Sequence, residues 1–279
     1  MRRGTQTQEP GPVTTLHRLA SRTDTTILKA SNILVWDIET RPARVETDVY
    51  DLRLRSPYIH HSKVVEPGAM VAWAAHWLHE PGTVHYADLH HTDMLERLWD
   101  MLDRASYTVT YNGDRFYHRK VRGYFARAGM PPHRPSKSID LIKTVRTFNL
   151  ESNSLDYACR VFGTANQKLA DTTGGASNWR GVVDGDPEAR RMMRRYAVGD
   201  VKATTDLYLS LLPWIQNHPH MGFAADDDKV RCPRCGSDNI SDVGAYQAVI
   251  IRYRQYRCGN CRGLLRTTFH SRAGLSRAI

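Results

Sequence analysis

Apolar positions fall in short unbroken runs early in the chain and at helical spacing later. Ile33-Leu34-Val35-Trp36 is a continuous apolar run of the kind a buried strand shows, and Met70 to Leu78 is a second. A short Thr83–Tyr86 strand follows Pro81-Gly82. Met94, Leu95, Leu98, Trp99 and Leu102 recur at three- and four-residue steps, which predicts an amphipathic helix over 92–104. Tyr107–Tyr111 is a β-rich run ending at Asn112-Gly113. A helix over about 115–128 follows, stopped by Gly129 and Pro131-Pro132. Ser138–Leu141 reads as a short strand, helical stretches continue to about 163, and 164–185 reads as loop. Asp186-Pro187-Glu188 opens a long helix, with Asp as N-cap and Pro at the first helical position, running to Leu212. Early strands followed by alternating strands and helices predict an α/β body.

The 279 residues are 41% hydrophobic and 24% charged, which excludes a disordered or fibrous chain. No apolar run reaches spanning length, and Met1-Arg2-Arg3 leads into no apolar stretch, so a soluble, cytoplasmic protein is expected. The formal charge of +10 is uneven. Residues 229–279 carry ten Lys and Arg against two Asp, residues 1–30 carry five against two acids, and the stretch between nets −1. A near-neutral body with a basic end predicts a polyanionic partner, nucleic acid above others; a solubilising tail is the plainer alternative. The pattern divides the chain into an arm (1–30), an α/β body (31–217), a linker (218–230), a cysteine module (231–270) and a basic tail (271–279).

The first strand ends in Asp37-Ile38-Glu39, whose two carboxylates point to one face because strand side chains alternate. Such a pair is either a solvated strand end or a site for a hard divalent cation, Mg²⁺ or Mn²⁺. Tyr196 and Asp200 lie one turn apart on the long helix, on the side continued by Ala203, Leu207 and Leu211. They form either a buried Tyr–Asp pair or a further part of a metal site.

Asp37-x-Glu39, Asn112-Gly113-x-x-Phe116 and Tyr196-x-x-x-Asp200 stand in the order and spacing of the DEDD 3′–5′ exonucleases, DEDDy branch. Residues 31–215 resemble that family, most of all its stand-alone, often phage-borne members that end in a zinc ribbon. The resemblance implies a ribonuclease-H-like mixed sheet flanked by helices. It implies two-metal hydrolysis of phosphodiester bonds in DNA, with Asp37, Glu39 and Asp200 as ligands, Tyr196 acting on the attacking water and Asn112 beside the terminal nucleotide. The family's second motif ends in an Asp where this chain has Tyr117. A neutral phenol there weakens the second metal position, with Asp114 and His118 as possible stand-ins. It also leaves open a nuclease-fold protein of impaired activity, working as a nucleic-acid-binding or adaptor module.

Cys232-Pro-Arg-Cys235 and Cys258-Gly-Asn-Cys261 are two Cys-x-x-Cys pairs with Pro and Gly neighbours, the pattern of a zinc ribbon. Four thiolates close the tetrahedral shell, so the Zn²⁺ is structural, and a module this small needs it to fold. Two disulfides are the alternative. Between the pairs, Arg252, Arg254 and Tyr256 share a strand face on which phosphates and a base fit. Cys159 is expected to be simply buried.

Overall fold

The computed structural model describes residues 25–49, 58–168, 176–225, 227–248, 252–268 and 276–278. Most of the expected N-terminal arm lies outside these residues. Its end, Thr25–Ser31, forms helix α1.

The apolar run at 33–36 grows into β1 (Ile33–Arg41), the middle of a five-stranded sheet. On one side it pairs antiparallel with β4 (Ala69–Trp77), which pairs with β5 (His85–Asp88). On the other it pairs parallel with β6 (Tyr107–Thr110), and β6 with β7 (Lys137–Asp140). The order is β5-β4-β1-β6-β7, two antiparallel strands beside three parallel ones. Each parallel step needs a crossover helix, and the sequence supplies one at each. α2 (Met94–Arg104) stands before β6, and α3 (Tyr117–Arg127) stands before β7. Between β1 and β4 the short strands β2 (Arg44–Val45) and β3 (Val64–Glu66) pair antiparallel.

Central strands are covered on both faces, which is why β1 is an apolar run rather than an alternation. Leu34, Trp36 and Ile38 pack under α2 and α3 against Leu98, Leu102, Val121 and Phe125. Ile33 and Val35 face the opposite layer, built from α4 (Leu141–Val145), α5 (Leu155–Val161) and α7 (Pro187–Leu211). Each buried aliphatic side chain here contributes about 1.5–3 kcal/mol. Cys159, on α5, is fully buried. The expected loop at 164–185 includes helix α6 (Ala176–Val183), whose Gly181 approaches Ala189 of α7 too closely for a Cβ to fit.

α7 starts as its sequence dictates: the Asp186 carboxylate accepts from the Glu188 N–H at 2.9 Å, with Pro187 next. Its buried positions, Ala189, Met193, Ala197, Asp200, Thr204, Leu207 and Leu211, repeat at three or four residues. Ala197 and Ala203 flank Asp200 and let that stretch of helix lie close to the sheet.

A second sheet, β8 (Ile240–Gln247), β9 (Arg252–Cys258), β10 (Leu264–Thr268) and β11 (Ser276–Ala278), forms the cysteine module. It packs on the end of α7 rather than standing away from it. Cys232, Cys235, Cys258, Cys261 and Leu265 share one core with Tyr208, Leu211, Leu212 and Met221. Buried Arg234, between the first two cysteines, donates from Nε to the Ile215 carbonyl and from Nη1 to the Leu264 carbonyl. The stretch expected as a linker thus carries buried His218 and Met221, and the Tyr208 hydroxyl lies 3.0 Å from His218 Nε2. Gly236 turns the chain at φ +72°, and Ile27 of α1 leaves no space there for a side chain.

Candidate active site and zinc centre

Asp37 and Glu39 point from β1 toward α7, opposite Ala74 and Ala72 of β4. Small cross-strand neighbours leave the space above the two carboxylates unfilled. Asp200 of α7 enters that space, and the three groups bring one carboxylate oxygen each within 4.8 Å of one another. All three are buried. Asp37 Oδ1 and Asp200 Oδ1 are sealed from solvent with no hydrogen-bond partner among the described residues. Two buried, unpaired anionic oxygens are costly unless a cation binds them, and hard oxygen ligands suit Mg²⁺ or Mn²⁺. The residues present therefore fit a divalent ion. Burial, then the Asp200 charge, push the Asp37 carboxyl up to about 7, against the lowering pull of Tyr117, Lys168 and the Ile38 N–H. Asp200 is raised too, because burial outweighs the ammonium of Lys168.

The turn after β6 places the second motif. Asn112 takes the left-handed conformation at φ +63°, and a Cβ on Gly113 would sit 2.4 Å from Thr110 Oγ1, so only glycine fits. Asp140, at the end of β7, accepts from the Asn112 N–H at 2.7 Å and the Asp114 N–H at 3.2 Å, fixing the turn to the neighbouring strand. In the sequence Asp140 reads only as part of a short strand. Tyr117 then begins α3 with its ring against Trp36 and donates from its hydroxyl to Asp37. Burial, with the Asp37 charge behind it, holds that phenol well above its ordinary pKa, so it is a neutral donor at neutral pH. Asp114 is engaged elsewhere, paired with Lys143 and accepting from Ser138 Oγ at 2.6 Å. His118 packs edge-on against Trp36. Among the described residues neither joins the acidic cluster.

Sequence reasoning passed over Lys168. Its ammonium pairs with Asp200 and lies 4.7 Å from the Tyr196 ring centre. Burial opposes its charge, but Asp200 outweighs burial and raises its pKa. It comes from a loop 32 residues before Asp200, with no local pattern that marks it. Tyr196 is half-buried between Lys168 and Trp179, within the field of Asp200 and Glu39.

The four cysteines form the second centre. Cys232 and Cys261 sulfurs are 3.5 Å apart, and those of Cys235 and Cys258 are 3.6 Å apart. A disulfide needs about 2.05 Å, whereas a zinc tetrahedron with bonds of about 2.3 Å has edges of about 3.8 Å. The cluster is buried and compatible with a zinc ribbon, and the cysteines are not in disulfides. Eleven helical steps lead from Asp200 to Leu211 at the ribbon, a rise of about 16 Å. On β9, Arg252 and Arg254 are exposed, the latter 3.5 Å from Asp242, while Tyr256 packs partly buried against the core. The ribbon's stacked ring pair is instead Tyr246 and Tyr253, with the Arg266 guanidinium over both.

Strand order and directions define a ribonuclease-H-like fold, and a family model for the RNase_H superfamily matches residues 76–212. That span holds Asn112, Tyr117, Tyr196 and Asp200 but begins after the β1 carboxylates. Among solved structures, the family B DNA polymerase from the hyperthermophilic archaeon Pyrobaculum calidifontis superposes with a TM-score of 0.48 at 20% identity. The match covers 65% of this chain and 24% of that one, so the chain spans about a quarter of that polymerase. No curated protein matches the sequence. Among the described residues no helix is long and apolar enough to cross a membrane.

Proposed function

We propose that this chain is a metal-dependent 3′–5′ exonuclease of the DEDDy type, hydrolysing phosphodiester bonds in DNA. The observation that carries the reading is the buried cluster of Asp37, Glu39 and Asp200, with two carboxylate oxygens that have no hydrogen-bond partner among the described residues. A bound divalent ion supplies Lewis-acid stabilisation of the charge that develops on the phosphate. The three carboxylates hold one ion firmly and a second weakly, because Tyr117 adds no negative charge. Tyr196 orients or deprotonates the attacking water, Lys168 offsets negative charge beside it, and Asn112 positions the terminal nucleotide. The ribbon, held by structural zinc, adds Arg252, Arg254 and Tyr256 to substrate binding.

The test is digestion of single-stranded DNA and RNA, labelled at the 3′ or the 5′ end, in Mg²⁺ and in Mn²⁺. A ladder growing from the 3′ end of DNA, abolished by Asp37→Ala, is expected. A second reading rests on the hydroxyl that Tyr117 donates to Asp37 and the ammonium that Lys168 places on Asp200: the site is partly neutralised from within. On that reading the chain binds nucleic acid without cutting it, and only Tyr117→Asp restores cleavage.

A further inference from the structure

We infer that a groove along α3 is the track of a single-stranded nucleic acid, leading its end to the carboxylate cluster. The inference rests on the nuclease reading for the direction of travel but not for the binding itself. The groove, about 780 Å³, runs between α3 and the chain from Thr40 to Ala43, with Pro67 and Gly68. Its near end is joined to the acidic cluster along the chain: Thr40 follows Glu39, and Phe116 precedes Tyr117, which interacts with Asp37. From there α3 presents Phe116, Arg119, Lys120, Tyr124 and Arg127, positions that a 3.6-residue period keeps on one side. The stripe is about 16 Å long, room for about four nucleotides at stacked spacing.

Its chemistry alternates cations with rings. The Lys120 ammonium lies 5.7 Å from the Phe116 ring centre and the Arg127 guanidinium 4.9 Å from that of Tyr124. Cations grip phosphates while aromatic faces take bases of any sequence. Among the described residues no carboxylate lines the groove, and the sequence from Arg115 to Ser136 contains no Asp or Glu. Among the described residues Arg119, Lys120 and Arg127 form no ion pair, whereas Arg97 pairs with Asp93, Arg104 with Asp100 and Arg160 with Asp156 one turn away on their own helices. The fourth cation, Arg41, is already committed to Glu66 and braces the opposite wall. A merely solvated helix face has no reason to line a groove without acids among the described residues and to keep two of its three cations on aromatic rings.

The test is fluorescence anisotropy with a labelled thymidine oligonucleotide of about twelve residues, over a range of salt, in Ca²⁺ without Mg²⁺ or Mn²⁺. The full-length chain is compared with the triple variant Arg119→Ala/Lys120→Ala/Arg127→Ala. A control, Arg97→Ala/Arg104→Ala/Arg160→Ala, loses the same net charge elsewhere. Each phosphate contact on a single strand contributes about 0.7 to the slope of log affinity against log salt, so losing three lowers it by about 2. The α3 variant is expected to lose tenfold or more in affinity, with that fall in slope, while the control stays near wild type. Wild-type affinity and slope in the α3 variant would overturn the inference, as would an equal loss in the control or no binding by the wild type. A chain that binds through α3 yet leaves no ladder in Mg²⁺ or Mn²⁺ sinks the exonuclease reading and keeps the groove.

Discussion

Replacing Asp37 by Asn isolates the cost of holding a carboxylate inside the acidic cluster. In the metal-free chain the Asp37 carboxyl sits at about 7 against an ordinary 3.8, through burial first and the Asp200 charge second. A folded-state pKa raised this way means the folded chain keeps a proton that the unfolded chain has released. The associated stability is complete below about pH 4 and is lost as pH rises through about 7. About three pH steps at 1.36 kcal/mol each put that loss at roughly 4 kcal/mol. A folded body of this size shifts its Tm by about 2–4 °C per kcal/mol. Metal-free Asp37→Asn should therefore melt on the order of 10 °C above wild type near pH 8 and close to it near pH 4. Mn²⁺ near pH 8 should reverse the order, raising wild type and leaving the Asn variant almost unmoved. Scanning fluorimetry across pH, with and without Mn²⁺, reads both effects. Equal melting of the two metal-free proteins near pH 8 would refute the reasoning, and so would equal Mn²⁺ shifts.

Three further outcomes follow from neighbouring contacts. Tyr117→Asp exchanges a neutral donor on Asp37 for a carboxylate, so Mn²⁺ bound per chain, counted by calorimetry or electron paramagnetic resonance, should rise from about one toward two, as two-metal sites require; an unchanged count would show that this position does not limit metal binding. Gly113→Ala drives a methyl to 2.4 Å from Thr110 Oγ1 and should cost about 1–3 kcal/mol in urea unfolding. Cys258→Ser, or zinc chelation, should lower the melting of the whole chain by about 10 °C or more rather than unfold the ribbon separately, because the cysteines share a core with α7; two well-separated transitions with an unshifted upper one would contradict this.

Local chemistry made much of this protein readable in its sequence. The covered strand at 33–36, the capped helix from Asp186 and the paired Cys-x-x-Cys knuckles each follow from rules that act within a few residues: burial on both strand faces, an N-cap with proline behind it, and metal-ligand spacing. Asp37 and Glu39 on one strand face, and Tyr196 and Asp200 on one helix face, were legible for the same reason. Short-range rules do not state which separate segments meet. Asp200 is grouped with the β1 carboxylates in the sequence only through the order of motifs shared with a known family; the tertiary structure supplies the physical reason, the alanines of β4 and α7 that leave space for it. The tertiary structure alone set Lys168 on Asp200 from a loop without pattern, and turned Asp114 away to Lys143. Helix α6 escaped notice because its eight residues carry little periodicity and owe their place to packing against α7. The ribbon's docking was equally hidden, since Arg234 reads in sequence as one more surface cation. Whether a charged side chain is solvated, paired or buried depends on what packs around it, and that is decided by contacts distant in the chain.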